Sequence, residues 1–207
     1  MIERLGPIKL RRAVAALADA HPEFGRVFSE HGFPPLWDRT PGFATLLQII
    51  LEQQVSLASA KACFDKLERR LGEVTPEAFL TVNDRDLKRD GFSRQKAAYG
   101  RGLAETILEG KLDLAELERL PDHEVKERLI AVKGIGHWTV DIYLLMALLR
   151  PDVMPKGDIA LHSAYKTLAG LGERPHADEF LAIAERWRPH RSVAARLLWH
   201  FYLCEKQ

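Results

Sequence analysis

Two short segments of this 207-residue chain hold residue types at a spacing that can do chemistry. In Leu129-Ile130-Ala131-Val132-Lys133-Gly134-Ile135-Gly136-His137-Trp138-Thr139-Val140, two glycines flank an isoleucine between apolar stretches, and Asp158 follows in Pro155-Lys156-Gly157-Asp158-Ile159. Glycines so placed permit a hairpin whose consecutive amide N–H groups turn outward, since glycine takes backbone angles closed to other residues. Those amides begin the next helix, whose positive end also favours an anion. A DNA phosphate fits both properties, with Ile135 buried as an apolar pin and Lys133 adding charge. A plain turn between two helices fits the glycine pair as well. Asp158 taken alone reads as a helix N-cap. Beside a phosphate clamp, a fixed carboxylate can instead stabilise an oxocarbenium-like sugar and activate the water that captures it, which is what cleavage of an N-glycosidic bond requires.

The elements that must position these residues are helices. Apolar residues recur at helical spacing almost throughout, and alternating Val/Ile/Thr runs are scarce, so the predicted fold class is all-α. Phe43, Leu46, Leu47, Ile50 and Leu51 form one stripe. Ser56, Thr75 before Pro76, and Ser93 are helix starts, Gly72 and Gly110 are stops, Asp122 opens another helix, and an apolar helix over Trp138 to Leu149 ends at Arg150-Pro151. Proline- and glycine-rich stretches at 32–42 and 151–157 bracket a central lobe of residues 43–150, with the helix-hairpin-helix at about 121–148. Residues 1–42 and 151–207 are each small for a core of their own, so they are expected to pack as a second helical lobe, with Asp158 at the cleft between the two.

Composition narrows the function classes. The chain is 46% hydrophobic and 29% charged, as globular domains are. No apolar run approaches the roughly 20 residues a bilayer crossing needs and no signal core opens the chain, so a cytoplasmic location, or a nuclear one in a nucleated host, is expected. Two cysteines give no disulfide framework; Cys63 falls on an apolar helix face, and neither cysteines nor histidines show metal-ligand spacing. The net charge of +1 gives no general attraction to nucleic acid, but its distribution is uneven. Residues 85–111 carry seven basic against four acidic side chains, residues 113–127 two against six, and residues 185–196 four against one, which points to one basic face or to solvated helix surface.

The residues then carry a family likeness. Pro41-Gly42-Phe43, Leu51-Glu52-Gln53-Gln54-Val55-Ser56, Gly91-Phe92-Ser93-Arg94-Gln95-Lys96-Ala97, the Gly134 to Thr139 hairpin, Gly157-Asp158 and Arg186-Trp187-Arg188-Pro189 resemble the helix-hairpin-helix DNA glycosylases, over about residues 34–202. They resemble most the alkylation-repair branch, the AlkA-type 3-methyladenine DNA glycosylases. The likeness implies excision of alkylated bases from double-stranded DNA after base flipping, with Asp158 as the catalytic carboxylate. It implies that Gly134, Ile135 and Gly136, with Lys133, His137 and Thr139, grip DNA, and that the backbone carbonyls of Ile130, Val132 and Ile135 can hold a structural Na+ or K+; no other cofactor is implied. Trp138 stands both for an aromatic that stacks on a flipped cationic purine and for a core tryptophan. Gln53 and Gln54 lie where the family fills the gap left by the extruded base, a role that their polar character at the end of an apolar helix favours over core packing.

Arg94 and Lys96 read as phosphate neighbours or as helix surface. His190 stands where the branch places an aromatic pocket residue, which opens three roles for it: in the base pocket, near DNA, or capping the last helix. Lyases of the family use a lysine two residues past the hairpin, where this chain has Trp138, so a monofunctional enzyme is expected. The likeness implies the compact form without the N-terminal β-rich domain of longer relatives, and a monomer is expected. Two other readings stay open: a non-catalytic helix-hairpin-helix DNA-binding protein, and a monofunctional glycosylase for other damaged or mismatched bases.

Overall fold

Short polar residues before apolar stretches make this chain a succession of capped helices. A computed structural model describes residues 2–206, and among them there are thirteen α-helices and no strand. They are α1 (Pro7–Ala20), α2 (Pro22–His31), α3 (Phe43–Glu52), α4 (Leu57–Leu71), α5 (Pro76–Thr81), α6 (Asp84–Asp90), α7 (Arg94–Leu108), α8 (Leu114–Leu117), α9 (Asp122–Ile130), α10 (His137–Ile142), α11 (Ile159–Leu168), α12 (Ala177–Ala184) and α13 (Arg191–Cys204). Ser56, Thr75 and Ser93 each accept a hydrogen bond from the backbone N–H three residues on, satisfying an orphan donor of the first turn as expected. The N-cap of α9 is Pro121, with Asp122 in its first turn, where a carboxylate favours the positive helix end.

The apolar helix predicted over Trp138 to Leu149 differs in its second half. α10 widens into a π turn over Tyr143–Ala147, and the chain leaves it through Leu149 in the left-handed region (φ 54°), with the Arg150 N–H donating to the Leu144 carbonyl.

The chain falls into two compact units. The first is Arg39–Tyr143, joined by Ile2, and the second is Glu3–Asp38 with the chain from Leu144 onward. The boundary at Asp38/Arg39 falls in the proline- and glycine-rich stretch 32–42, whereas that at Tyr143/Leu144 lies inside a helix, where no proline or glycine marks it. In the first unit α3 packs against α4, α7 and α10, and α5 against α7. Phe79 is the hub, with Phe43 and Phe92 each 5.8 Å from it between ring centroids. Gly100 lets α7 approach closely, since a Cβ there would lie 2.8 Å from the Phe79 ring.

The second unit is built by α1, α2, α11 and α13. Trp187 is fully buried among Phe24, Tyr165 and Phe180, with centroids 5.1 to 5.9 Å away. Arg196, also fully buried, donates to the carbonyls of Leu36, Leu145 and Ser192 at 2.7 to 3.0 Å. Burial pulls its pKa down to about 10, which leaves it charged at neutral pH.

Candidate functional site

In the first unit the hairpin follows directly from its sequence. α9 ends at Ile130, and the Ile135 N–H donates back to the Val132 carbonyl at 3.1 Å while the Ile135 side chain is buried. Gly134 has φ 95°, and a Cβ on it would fall 2.2 Å from the Tyr99 ring, so both conformation and space demand glycine. Gly136 differs from expectation. Its φ of −101° is open to any residue and a Cβ there meets nothing within 4 Å, so nothing in the chain itself requires glycine at this position. Lys133, Gly136 and His137 are exposed, Trp138 is half-buried, and Thr139 is buried.

Gln53, expected to fill the gap in the DNA or to pack in the core, and Lys96, expected as a phosphate neighbour or as helix surface, both bond to groups of the protein itself. The Gln53 amide Nε2 donates to the Gly134 carbonyl and to the Thr139 hydroxyl, each at 2.9 Å. The Lys96 ammonium donates to the carbonyls of Leu51 (2.6 Å) and Gln53 (2.8 Å), closing the C-terminal end of α3. Burial lowers the Lys96 pKa from the usual lysine value. Gln54, the next residue, is exposed with φ 57°, an uncommon conformation outside glycine. Arg94 is exposed in the first turn of α7.

Sequence reasoning did not find Glu52. This buried carboxylate takes two hydrogen bonds from Arg39 (2.9 and 3.1 Å), and its pKa is raised by burial against the opposing pull of that guanidinium. Its only sequence signal was a charge on an apolar stripe.

In the second unit Asp158 follows Gly157 (φ 77°) and caps α11, its Oδ1 accepting the Leu161 N–H at 3.0 Å. The same oxygen accepts the Trp199 indole N–H at 3.3 Å, and the Trp199 ring meets the edge of Trp37 at 6.4 Å. Trp37 is itself held at φ 47°, a rare conformation for a bulky side chain. Neither tryptophan was flagged from sequence, because Trp37 and Trp199 lie at opposite ends of the chain. Asp158 is 9% exposed. His162, one turn along α11, has its pKa lowered by burial and lies 3.0 Å from the Pro175 carbonyl through Nδ1. His190 stands half-buried at the N-cap position of α13, with no side-chain cap bond. Among the described residues no group of three or more His, Cys, Asp or Glu is placed to hold a metal, and no helix is long and apolar enough to cross a membrane.

Residues 47–189 match the HhH-GPD superfamily base excision DNA repair protein family. The chain belongs to that superfamily. Relatives of this HhH-GPD chain include the YfjP protein of Bacillus subtilis, 32% identical over 181 residues, which cover 84% of this chain and 63% of YfjP. DNA-3-methyladenine glycosylase 1 of Schizosaccharomyces pombe is 32% identical over 76% of this chain and 71% of its own length. The structure of the S. pombe 3-methyladenine DNA glycosylase Mag1 in complex with abasic DNA superposes with a TM-score of 0.85 at 29% identity, covering 91% of this chain and 95% of that one. The all-helical fold of this HhH-GPD chain is thus the one that superposes on Mag1. Glycosylases of the family need no cofactor.

Proposed function

We propose that the chain is a monofunctional DNA glycosylase that hydrolyses the N-glycosidic bond of alkylated bases, chiefly 3-methyladenine and 7-methylguanine, in duplex DNA, the first step of base excision repair. The observation that carries this reading is the match in fold and sequence to Mag1 bound to abasic DNA, the product such a reaction leaves. It acts as a monomer wherever the host keeps its DNA, in the cytoplasm at the nucleoid or in the nucleus.

Asp158 is the catalytic carboxylate. The C1′–N bond breaks with its electron pair passing to the base, the oxocarbenium-like sugar is stabilised by the carboxylate, and a water whose proton that carboxylate accepts bonds to C1′. An alkylated purine already carries positive charge and leaves readily, so a stacking surface suffices for selectivity, and Trp138 supplies it through its π face.

The hairpin amides from Gly134 to His137 hold a phosphate, and Lys133, His137 and Arg94 flank it. The open space above Gly136 supports this, because glycine there serves an approaching backbone and not the chain's own packing. Exposed Gln54 fills the gap left by the flipped base. The carbonyls of Ile130, Val132 and Ile135 offer the all-oxygen donor set that suits Na+ or K+, since Val132 spends one lone pair on the Ile135 N–H and a carbonyl carries two. Such an ion would add positive charge next to the amides.

The test is a panel of duplexes with single lesions, treated with alkali to reveal abasic sites. Excision is expected at 3-methyladenine and 7-methylguanine. Asp158→Asn is expected to abolish it while keeping DNA affinity, because asparagine still accepts the Leu161 N–H and preserves α11. Near-normal excision by that variant would refute the mechanism, and no abasic product at any enzyme concentration would make the chain a DNA-binding module.

A further inference from the structure

Gln53 and Lys96 form a continuous line of hydrogen bonds between the end of α3 and the hairpin. An amide NH2 has two donors, and both of Gln53's are taken, by the Gly134 carbonyl and the Thr139 hydroxyl. The Gly134 carbonyl lies in the same rigid peptide plane as the Ile135 N–H. That plane is therefore pinned at both ends, the carbonyl by Gln53 and the N–H by the Val132 carbonyl. The direction of the amides that follow is set from it, while the bond to Thr139 seats the first turn of α10. Tyr99 closes the other side by lying against Gly134. Gln53 is held in turn by Lys96, whose ammonium takes the Gln53 carbonyl and the Leu51 carbonyl together.

We propose that Gln53, seated by Lys96, is a positioning residue for the hairpin: it orients the amides that grip phosphate and ties them to the turn that presents Gln54. This rests on the reading that the hairpin grips DNA. The side chain touches no DNA itself; without it the Gly134–Ile135 peptide plane loses one of its two anchors, the hairpin amides turn from the phosphate, and that phosphate contact is lost from the complex. A brace that merely stabilised the fold would leave the number of phosphates contacted by the folded protein unchanged, and with it the salt slope of binding.

The experiment measures affinity for a duplex carrying a tetrahydrofuran abasic-site analogue across a salt series, with urea unfolding of each variant alongside. Gln53→Met keeps the side-chain length and removes the amide. It is expected to weaken binding about tenfold and to reduce the salt slope by about 1. Lys96→Met should act in the same direction and Lys96→Arg should restore most of the affinity, since a guanidinium still donates to both carbonyls. Should Gln53→Met fail to fold, Thr139→Val carries the same test with a loss of about threefold.

A folded Gln53→Met that binds with the original affinity and slope, while Lys133→Ala lowers both, would overturn the brace and leave the hairpin reading standing. If Lys133→Ala and Gly136→Ala also bind unchanged, the hairpin is not the grip and the brace falls with it.

Discussion

Gly134 and Gly136 stand two residues apart and answer to different demands. Gly134→Ala must force φ 95° on a residue with a Cβ and drive that atom into the Tyr99 ring, so it should cost about 1 to 3 kcal/mol in urea unfolding. Gly136→Ala should leave stability within about 0.5 kcal/mol, yet weaken binding to abasic-analogue duplex, because only an approaching phosphate meets the new methyl. Equal affinity for Gly136→Ala and the parent protein would rule out close phosphate approach there. At the carboxylate, Trp199→Phe keeps the ring and removes the indole N–H that reaches Asp158 Oδ1. Single-turnover excision is expected to slow by about 3- to 10-fold with DNA affinity unchanged. An unaltered single-turnover rate would show that the indole does not help hold the acid.

At the scale of elements, α4 and α6 are tied by an ion pair. Arg70 donates to both oxygens of buried Asp90 at 2.7 and 2.9 Å. The hydrogen bonds and charge of Arg70 hold the Asp90 pKa below the ordinary aspartate range. A carboxyl with a depressed folded pKa contributes stability that is complete above its unfolded pKa, about 4, and is lost as pH falls through the lower folded value. Arg70→Met should therefore lower stability at neutral pH and flatten its decline below about pH 4, as read by urea midpoints across an acid series. A midpoint that falls equally at all pH values would assign the loss to packing. The capped starts at Ser56, Thr75 and Ser93 were legible in advance because a cap is a contact over three residues. The π turn at Tyr143–Ala147 was not, because periodicity cannot distinguish a helix from its widened form.

For the whole molecule, the second unit depends on its two sequence ends meeting. Arg196 of α13 reaches the Leu36 carbonyl near the start and the Leu145 carbonyl in the middle of the chain. Arg196→Met would leave those carbonyls buried without a donor and should cost on the order of 3 kcal/mol in urea unfolding. A loss under about 0.5 kcal/mol would mean that water or another group replaces the guanidinium. The net charge of +1 also sets an expectation at this scale. Affinity for DNA must come from a few placed contacts, since the protein as a whole exerts no general pull on a polyanion.

The amino-acid sequence alone determined what short-range chemistry can determine: the helical class, the caps, the glycine that Gly134 must be, and the presence of Asp158 at a helix start. Motif resemblance added the family. Tertiary structure decided which way the neighbouring side chains face. Gln53 and Lys96 are polar residues beside a surface turn, and whether they meet phosphate or a carbonyl depends on elements more than forty residues away in the chain. The Trp37 and Trp199 pair beside Asp158, and the Arg39 hold on Glu52, have the same origin. A local pattern encodes a residue's own backbone state, but its partner is chosen by packing, which brings together residues that no spacing rule connects.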